Sequence, residues 1–149
     1  MGTALVTGAT SGIGEEFCWQ LAAAGHDLVL VARRDDTLRA LADSLANVAG
    51  VRAEVIAADL STDSGCARVA ARLDVGGPAD LEKPDLAPVD LLVNNAGFGL
   101  GTDFLDNSLD NEINGLNVMV RAVMTLAHHA GISMRSRGRG AILNVGSVA

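Results

Sequence analysis

Four short runs hold the residues whose types and spacing could do chemistry. The first is Thr7-Gly8-Ala9-Thr10-Ser11-Gly12-Ile13-Gly14. Glycines at 8, 12 and 14 suit, in turn, a tight turn, a close backbone approach to a pyrophosphate, and a helix lying close on a sheet. A helix that starts here offers unpaired N–H groups and a partial positive charge to a diphosphate. A glycine triplet alone could be a purely structural turn, so the reading depends on a strand before it and a helix after it. The other three runs are Asp59-Leu60, Asn94-Asn95-Ala96-Gly97 and Asn144-Val145-Gly146-Ser147. Each closes a short apolar segment.

The elements that must position these residues are legible from periodicity. Thr3 to Thr7 is a short apolar run ended by Gly8, which predicts a buried strand, and Ile13, Phe17, Leu21 and Ala24 then recur at helical spacing up to Gly25. Leu28 to Val31 predicts a second strand, and Asp35 or Asp36 can cap a helix carrying Leu38, Leu41 and Leu45. Val51 to Ala58 predicts a third strand, with Ser61 or Thr62 capping a helix through Val69 and Leu73. Gly76 to Pro88 contains all three prolines and reads as a loop. Val89 to Val93 predicts a fourth strand, about Asp103 to Met134 a long helix with an early interruption, Arg135 to Gly140 a turn, and Ala141 to Val145 a fifth strand. Strands alternating with helices predict one domain over residues 1–149, an α/β fold with a doubly wound parallel sheet of about five strands and helices on both faces. Near-continuous apolar strands agree, because parallel strands are covered on both sides. All four runs then fall at carboxyl ends of strands, where open α/β sheets bind ligands.

The spacing G-x-x-x-G-x-G differs from the commonest dinucleotide fingerprint and resembles the TGxxxGxG signature of the short-chain dehydrogenase/reductase family. Three further segments match that family in order. Asp59-Leu60 stands where the family places an Asp and an apolar residue against the adenine, Asn94 to Gly97 matches its NNAG motif, and Asn144 to Ser147 resembles the segment with its catalytic serine. The resemblance covers the whole chain and implies an incomplete Rossmann fold. It implies that Gly8, Thr10, Ser11, Gly12, Ile13, Gly14, Arg33, Arg34, Asp59, Leu60, Asn95, Ala96 and Gly97 hold a nicotinamide dinucleotide. In NAD-binding members an acidic residue ends the second strand. Here that position is Ala32, followed by Arg33 and Arg34, whose planar forks suit a 2′-phosphate. NADP(H) is therefore expected over NAD(H), the alternative being that both arginines are solvated and neutralised by Asp35 and Asp36.

The family moves a hydride between the nicotinamide and a carbonyl or alcohol carbon of a small molecule. The resemblance assigns the oxygen-polarising serine to Ser147 and the relay asparagine to Asn117, with Asn114 as a rival. The family's Tyr-x-x-x-Lys pair, the general acid/base and its partner, belongs after Ser147. The chain contains no tyrosine, and Lys83 is its only lysine. A truncated, inactive oxidoreductase is the expectation, with a non-catalytic nucleotide-binding protein or a non-functional remnant as alternatives. His26, His128 and His129 are the other proton carriers, and all three read as solvated residues at helix ends or turns. Arg135, Arg137 and Arg139 read as a solvated turn.

Composition excludes several classes. Apolar residues form 49% and charged residues 19%, which argues against disorder. A net charge of -7 argues against nucleic acid as a partner. No apolar run reaches the roughly 20 residues needed to span a bilayer. No leader-like segment precedes the first strand, so a cytoplasmic location is expected. Cys18 and Cys66 lack metal or redox spacing and read as small buried hydrophobes, and no metal site is expected. Family members commonly pair through the long helix, so a homo-oligomer is among the expected states.

Overall fold

The computed structural model describes residues 1–75 and 87–147. Five parallel strands form one sheet in the order β3-β2-β1-β4-β5. They are β1 (Thr3–Thr7), β2 (Asp27–Ala32), β3 (Ala53–Ala57), β4 (Val89–Asn94) and β5 (Ala141–Asn144). The chain winds outward from β1 to β3, then crosses back to β4 beside β1. The sequence order thus reverses between β1 and β4, and a crevice opens outside the carboxyl ends of these central strands.

The helices cover both faces. Alternate strand residues point opposite ways, so Ala4 and Val6 pack with Cys18 and Ala22 of α1 (Gly12–Ala23) and Leu38 and Leu45 of α2 (Asp35–Ala49). Leu5 and Leu92 pack on the other face with Val69 and Leu73 of α3 (Asp63–Leu73) and Leu126 and Ala130 of α5 (Val123–Arg137).

Thr62 caps α3 by accepting from the Gly65 amide. Neither Asp35 nor Asp36 caps α2: its N-cap is Arg34, and both acids lie inside the first turn, where the helix dipole favours them. There Asp35 pairs with Arg39, and Asp36 accepts from the Thr37 amide. The third strand is shorter than its apolar run, and the loop expected over Gly76–Pro88 lies, up to residue 86, outside the described residues.

The long helical stretch begins later than expected and is not uniform. Ser108 caps α4 (Leu109–Leu116) through the Asn111 amide, and Asn117–Ala122 form a π-helical turn before α5. Val118, Ala122, Leu126, Ala130 and Met134 are all buried, four residues apart. An α-helix would turn this stripe by about 40° at each step, and a wider turn takes up part of that drift. The Arg135–Gly140 turn is also shorter than expected, because α5 runs on to Arg137. Arg137 is not solvated: it donates to the Val89 carbonyl, the Ser133 hydroxyl and Asp90, tying α5 to β4. No helix among the described residues is long and apolar enough to cross a membrane.

Candidate nucleotide-binding site

The carboxyl ends of the strands open on a cleft of about 510 Å³. The turn after β1 contributes Gly8, Thr10 and Ser11, and the end of β2 contributes Ala32, Arg33 and Arg34. Ala58, Asp59, Leu60 and Ser61 come from the end of β3, Ala96, Gly97 and Phe98 from the turn after β4, and Asn114 and Val118 from the long helix.

The turn after β1 is built around close backbone contacts. Gly8 has φ +68°, a left-handed conformation that glycine adopts without strain. A Cβ on Gly14 would overlap the Gly8 carbonyl oxygen and the Asn95 side-chain amide, so only glycine lets α1 sit this low. Ser11 makes no side-chain cap, which leaves first-turn N–H groups at the cleft without a protein partner on that residue.

Thr7 locks this turn to the one after β4. Its Oγ1 accepts from the amides of Asn95 and Ala96, both at 3.0 Å, and donates to the Val93 carbonyl at 3.4 Å. Asn95 Nδ2 donates back to the Thr7 carbonyl at 3.1 Å and the Gly8 carbonyl at 3.4 Å. Asn94 donates to the Asn144 side chain at 2.9 Å, joining β4 to β5. The Asn-Asn pair therefore shapes the cleft from beneath, while Ala96 and Gly97 line it.

On the opposite wall Asp59 accepts from the Ser61 hydroxyl at 2.7 Å and the Ser61 amide at 2.9 Å. These two bonds, the hydroxyl first, hold the Asp59 carboxyl below its ordinary range, and nearby Arg33 adds to the effect. The wall thus carries a fixed negative charge beside two cations.

Of the residues singled out in the sequence, Gly8, Thr10, Ser11, Arg33, Arg34, Asp59, Leu60, Ala96 and Gly97 come together on this cleft. Gly12 and Ile13 are exposed in the same turn without lining the cleft, Gly14 is buried beneath it, and Asn95 bonds the Thr7 and Gly8 carbonyls. Asn117 opens the π turn and does not line the cleft, whereas its rival Asn114 does. Met119 lies against Gly97, its Cγ 3.6 Å from where a Gly97 Cβ would be. Ser147 follows β5 and is exposed, outside the lining residues. None of the histidines lines the cleft: His26 bonds the Gly2 carbonyl, and His129 bonds Asp74 at the exposed surface. The sequence offers Thr7 only as the start of the glycine run and Ser61 only as a helix cap, and gives no sign of Phe98; the Asp-x-Ser spacing at 59–61, which favours a local side-chain turn, is the available signal for Ser61.

A parallel sheet with its glycine turn at the switch point and cations at the end of the second strand defines a protein of the dinucleotide-fold class. Residues 2–149 match the short chain dehydrogenase family, and the chain belongs to the short-chain dehydrogenases/reductases. It is 33% identical over 149 residues to the NADP-dependent 3-hydroxy acid dehydrogenase of Schizosaccharomyces pombe, covering 99% of this chain and 54% of that protein. Among solved structures it resembles a short-chain dehydrogenase from Sphingobium yanoikuyae in complex with NADPH, with a TM-score of 0.89 and 35% identity over 99% of this chain and 54% of that one. The L-sorbose reductase of Gluconobacter frateurii, solved with NADPH and L-sorbose, gives a TM-score of 0.86 and 32% identity over 99% of this chain and 52% of that one. The chain spans about half the length of the relatives it matches.

Proposed function

We propose that this chain holds NADP(H) in the cleft and forms the cofactor-binding half of an oxidoreductase acting on a carbonyl or alcohol. The observation that carries the reading is the cation pair Arg33 and Arg34 on the cleft wall, following Ala32 where an NAD-binding member carries an acid. A guanidinium matches a phosphate in geometry and charge, and the NADP(H)-linked relatives agree. The first turn of α1 would receive the diphosphate, Asp59 and Leu60 would flank the adenine, and Arg33 and Arg34 would meet the 2′-phosphate. NADPH held there would supply the hydride. Ser147, with Asn117 or Asn114, would orient the substrate oxygen and a proton-carrying water.

The proton donor used by the family is a tyrosine, and these 149 residues contain none. A positioned acid typically contributes 10²–10⁴-fold to such a step. Our reading is therefore that a polypeptide of these residues alone binds the cofactor without turning over.

The test is a titration of the purified chain with NADPH and NADH, followed by an NADPH-oxidation assay over a panel of ketones and aldehydes. NADPH should bind more tightly, and Arg33→Ala should narrow the gap by about tenfold, the weight of one charge-assisted bond. Equal affinities before and after the change would remove Arg33 from the site. Turnover by the chain alone, abolished by Ser147→Ala, would overturn the binding-without-turnover reading.

A further inference from the structure

We propose that Arg121, from the π turn, is a positioning residue that clamps the loop after β3 and so fixes the cleft wall on the adenosine side. The inference rests on the nucleotide reading above.

Arg121 Nη2 donates to the Ser61 carbonyl at 2.8 Å, and Nη1 reaches the Asp63 carboxylate. Its Nε is buried without a hydrogen-bond partner among the described residues, so the two Nη atoms carry the polar contacts of the guanidinium. Ser61 passes the constraint on. Its carbonyl is held by Arg121, while its amide and hydroxyl hold Asp59 at 2.9 and 2.7 Å. Asp59, Leu60 and Ser61 are themselves cleft residues, and Asn114 and Val118 line the cleft from the helix that carries Arg121. One side chain thus ties two walls of the same cleft together.

The two bonds of Arg121 are unequal. Asp63 is 93% exposed, and pairs with so exposed a partner contribute little. The bond to the Ser61 carbonyl is partly buried and acts on backbone, so it carries the positioning. The π turn supplies the helical register: within it Ala122 packs in the core, Val118 is buried at the cleft, and Arg121 lies over the start of α3.

The experiment compares the full chain with Arg121→Ala and Arg121→Lys by two measurements. In the ligand-free protein, amide hydrogen exchange over residues 59–63 should quicken in Arg121→Ala and be partly restored in Arg121→Lys, which can still reach one acceptor. In titrations, the Kd of NADPH and of 2′,5′-ADP should rise together by roughly three- to tenfold in Arg121→Ala. The ratio of NADPH to NADH affinity should hold, because Arg33 and Arg34 are untouched. Unchanged exchange over 59–63 in a folded Arg121→Ala protein would overturn the clamp, and so would an unchanged Kd for both ligands. If Arg121→Ala does not fold, Arg121→Lys decides on the same measurements. A wild-type chain that binds neither ligand would count against the nucleotide reading, while the exchange measurement would still decide the clamp.

Discussion

Gly14→Ala sets two rules of protein stability against each other. In a helix, alanine is favoured over glycine by up to about 1 kcal/mol. Here the added Cβ would overlap the Gly8 carbonyl oxygen and the Asn95 side-chain amide. The first obstacle is backbone in a left-handed turn, and the second is a side chain already committed to the Thr7 and Gly8 carbonyls. Neither can move without loosening the lock between the turns after β1 and β4. Overpacking of this kind costs about 1–3 kcal/mol, and a weakened hydrogen bond adds about 1 kcal/mol. After the propensity gain, the substitution should destabilise by about 1–3 kcal/mol. For a chain of this size that lowers Tm by about 3–10 °C. Thermal melting followed by circular dichroism reads the stability, and an NADPH titration of the folded variant reads the site. We expect both to fall together, because the displaced α1 N-terminus is the proposed diphosphate seat. A variant that melts at or above wild type with unaltered NADPH affinity would refute the packing argument and the phosphate site at once.

Other measurements probe separate parts of the molecule. Burial pushes the Cys18 thiol up to about 12 and also raises that of Cys66, so neither should react with a thiol reagent at neutral pH until the chain unfolds; rapid native labelling would contradict the core packing. Burial raises the Asp27 carboxyl, but the Arg52 amide and guanidinium outweigh it and hold the group below its ordinary range. Its contribution is therefore present above the unfolded value near pH 3.9 and lost as pH falls through the lower folded value. The difference in Tm between wild type and Asp27→Asn should be steady from pH 7 to about 5 and close toward pH 3, whereas a gap that widens on acidification would reverse the assignment. Finally, Leu116, Val120 and Met124 are 60%, 56% and 66% exposed along one helical stretch, and such apolar surface favours association. The chain should self-associate at high concentration in a sedimentation experiment, and Leu116→Glu with Met124→Glu should reduce it; a wild-type monomer throughout would show that this surface is inert.

The sheet was legible because its strands are continuous apolar runs closed by turn residues, a pattern that buried parallel strands require. Helix starts were harder. Asp35 and Asp36 carry the chemistry of a cap, yet the helix begins at Asp35 itself, since acids stabilise a first turn as well as a cap position. The π turn at Asn117–Ala122 was harder still. A helical wheel assumes a constant rotation per residue, and the wheel fails wherever the helix changes its pitch.

The same change of pitch governs how much of the site could be read. The cleft's turns are set by local chemistry, with glycine where a Cβ would collide and Thr7 and Asn95 exchanging hydrogen bonds across β1 and β4. Residue types at fixed offsets from a strand end therefore located nine of the expected lining residues on one cleft. Side chains delivered by the long helix obey a different rule, because their direction depends on every turn between them and the nearest anchored residue. Asn114 precedes the π turn and lines the cleft, Asn117 opens it and does not, and Met119 within it lies against the Gly97 turn. Arg121, two residues further on, reaches across to Ser61. The wide turn over Asn117–Ala122 thus carries both Val118, which lines the candidate cleft, and Arg121, which bonds the Ser61 carbonyl on its wall.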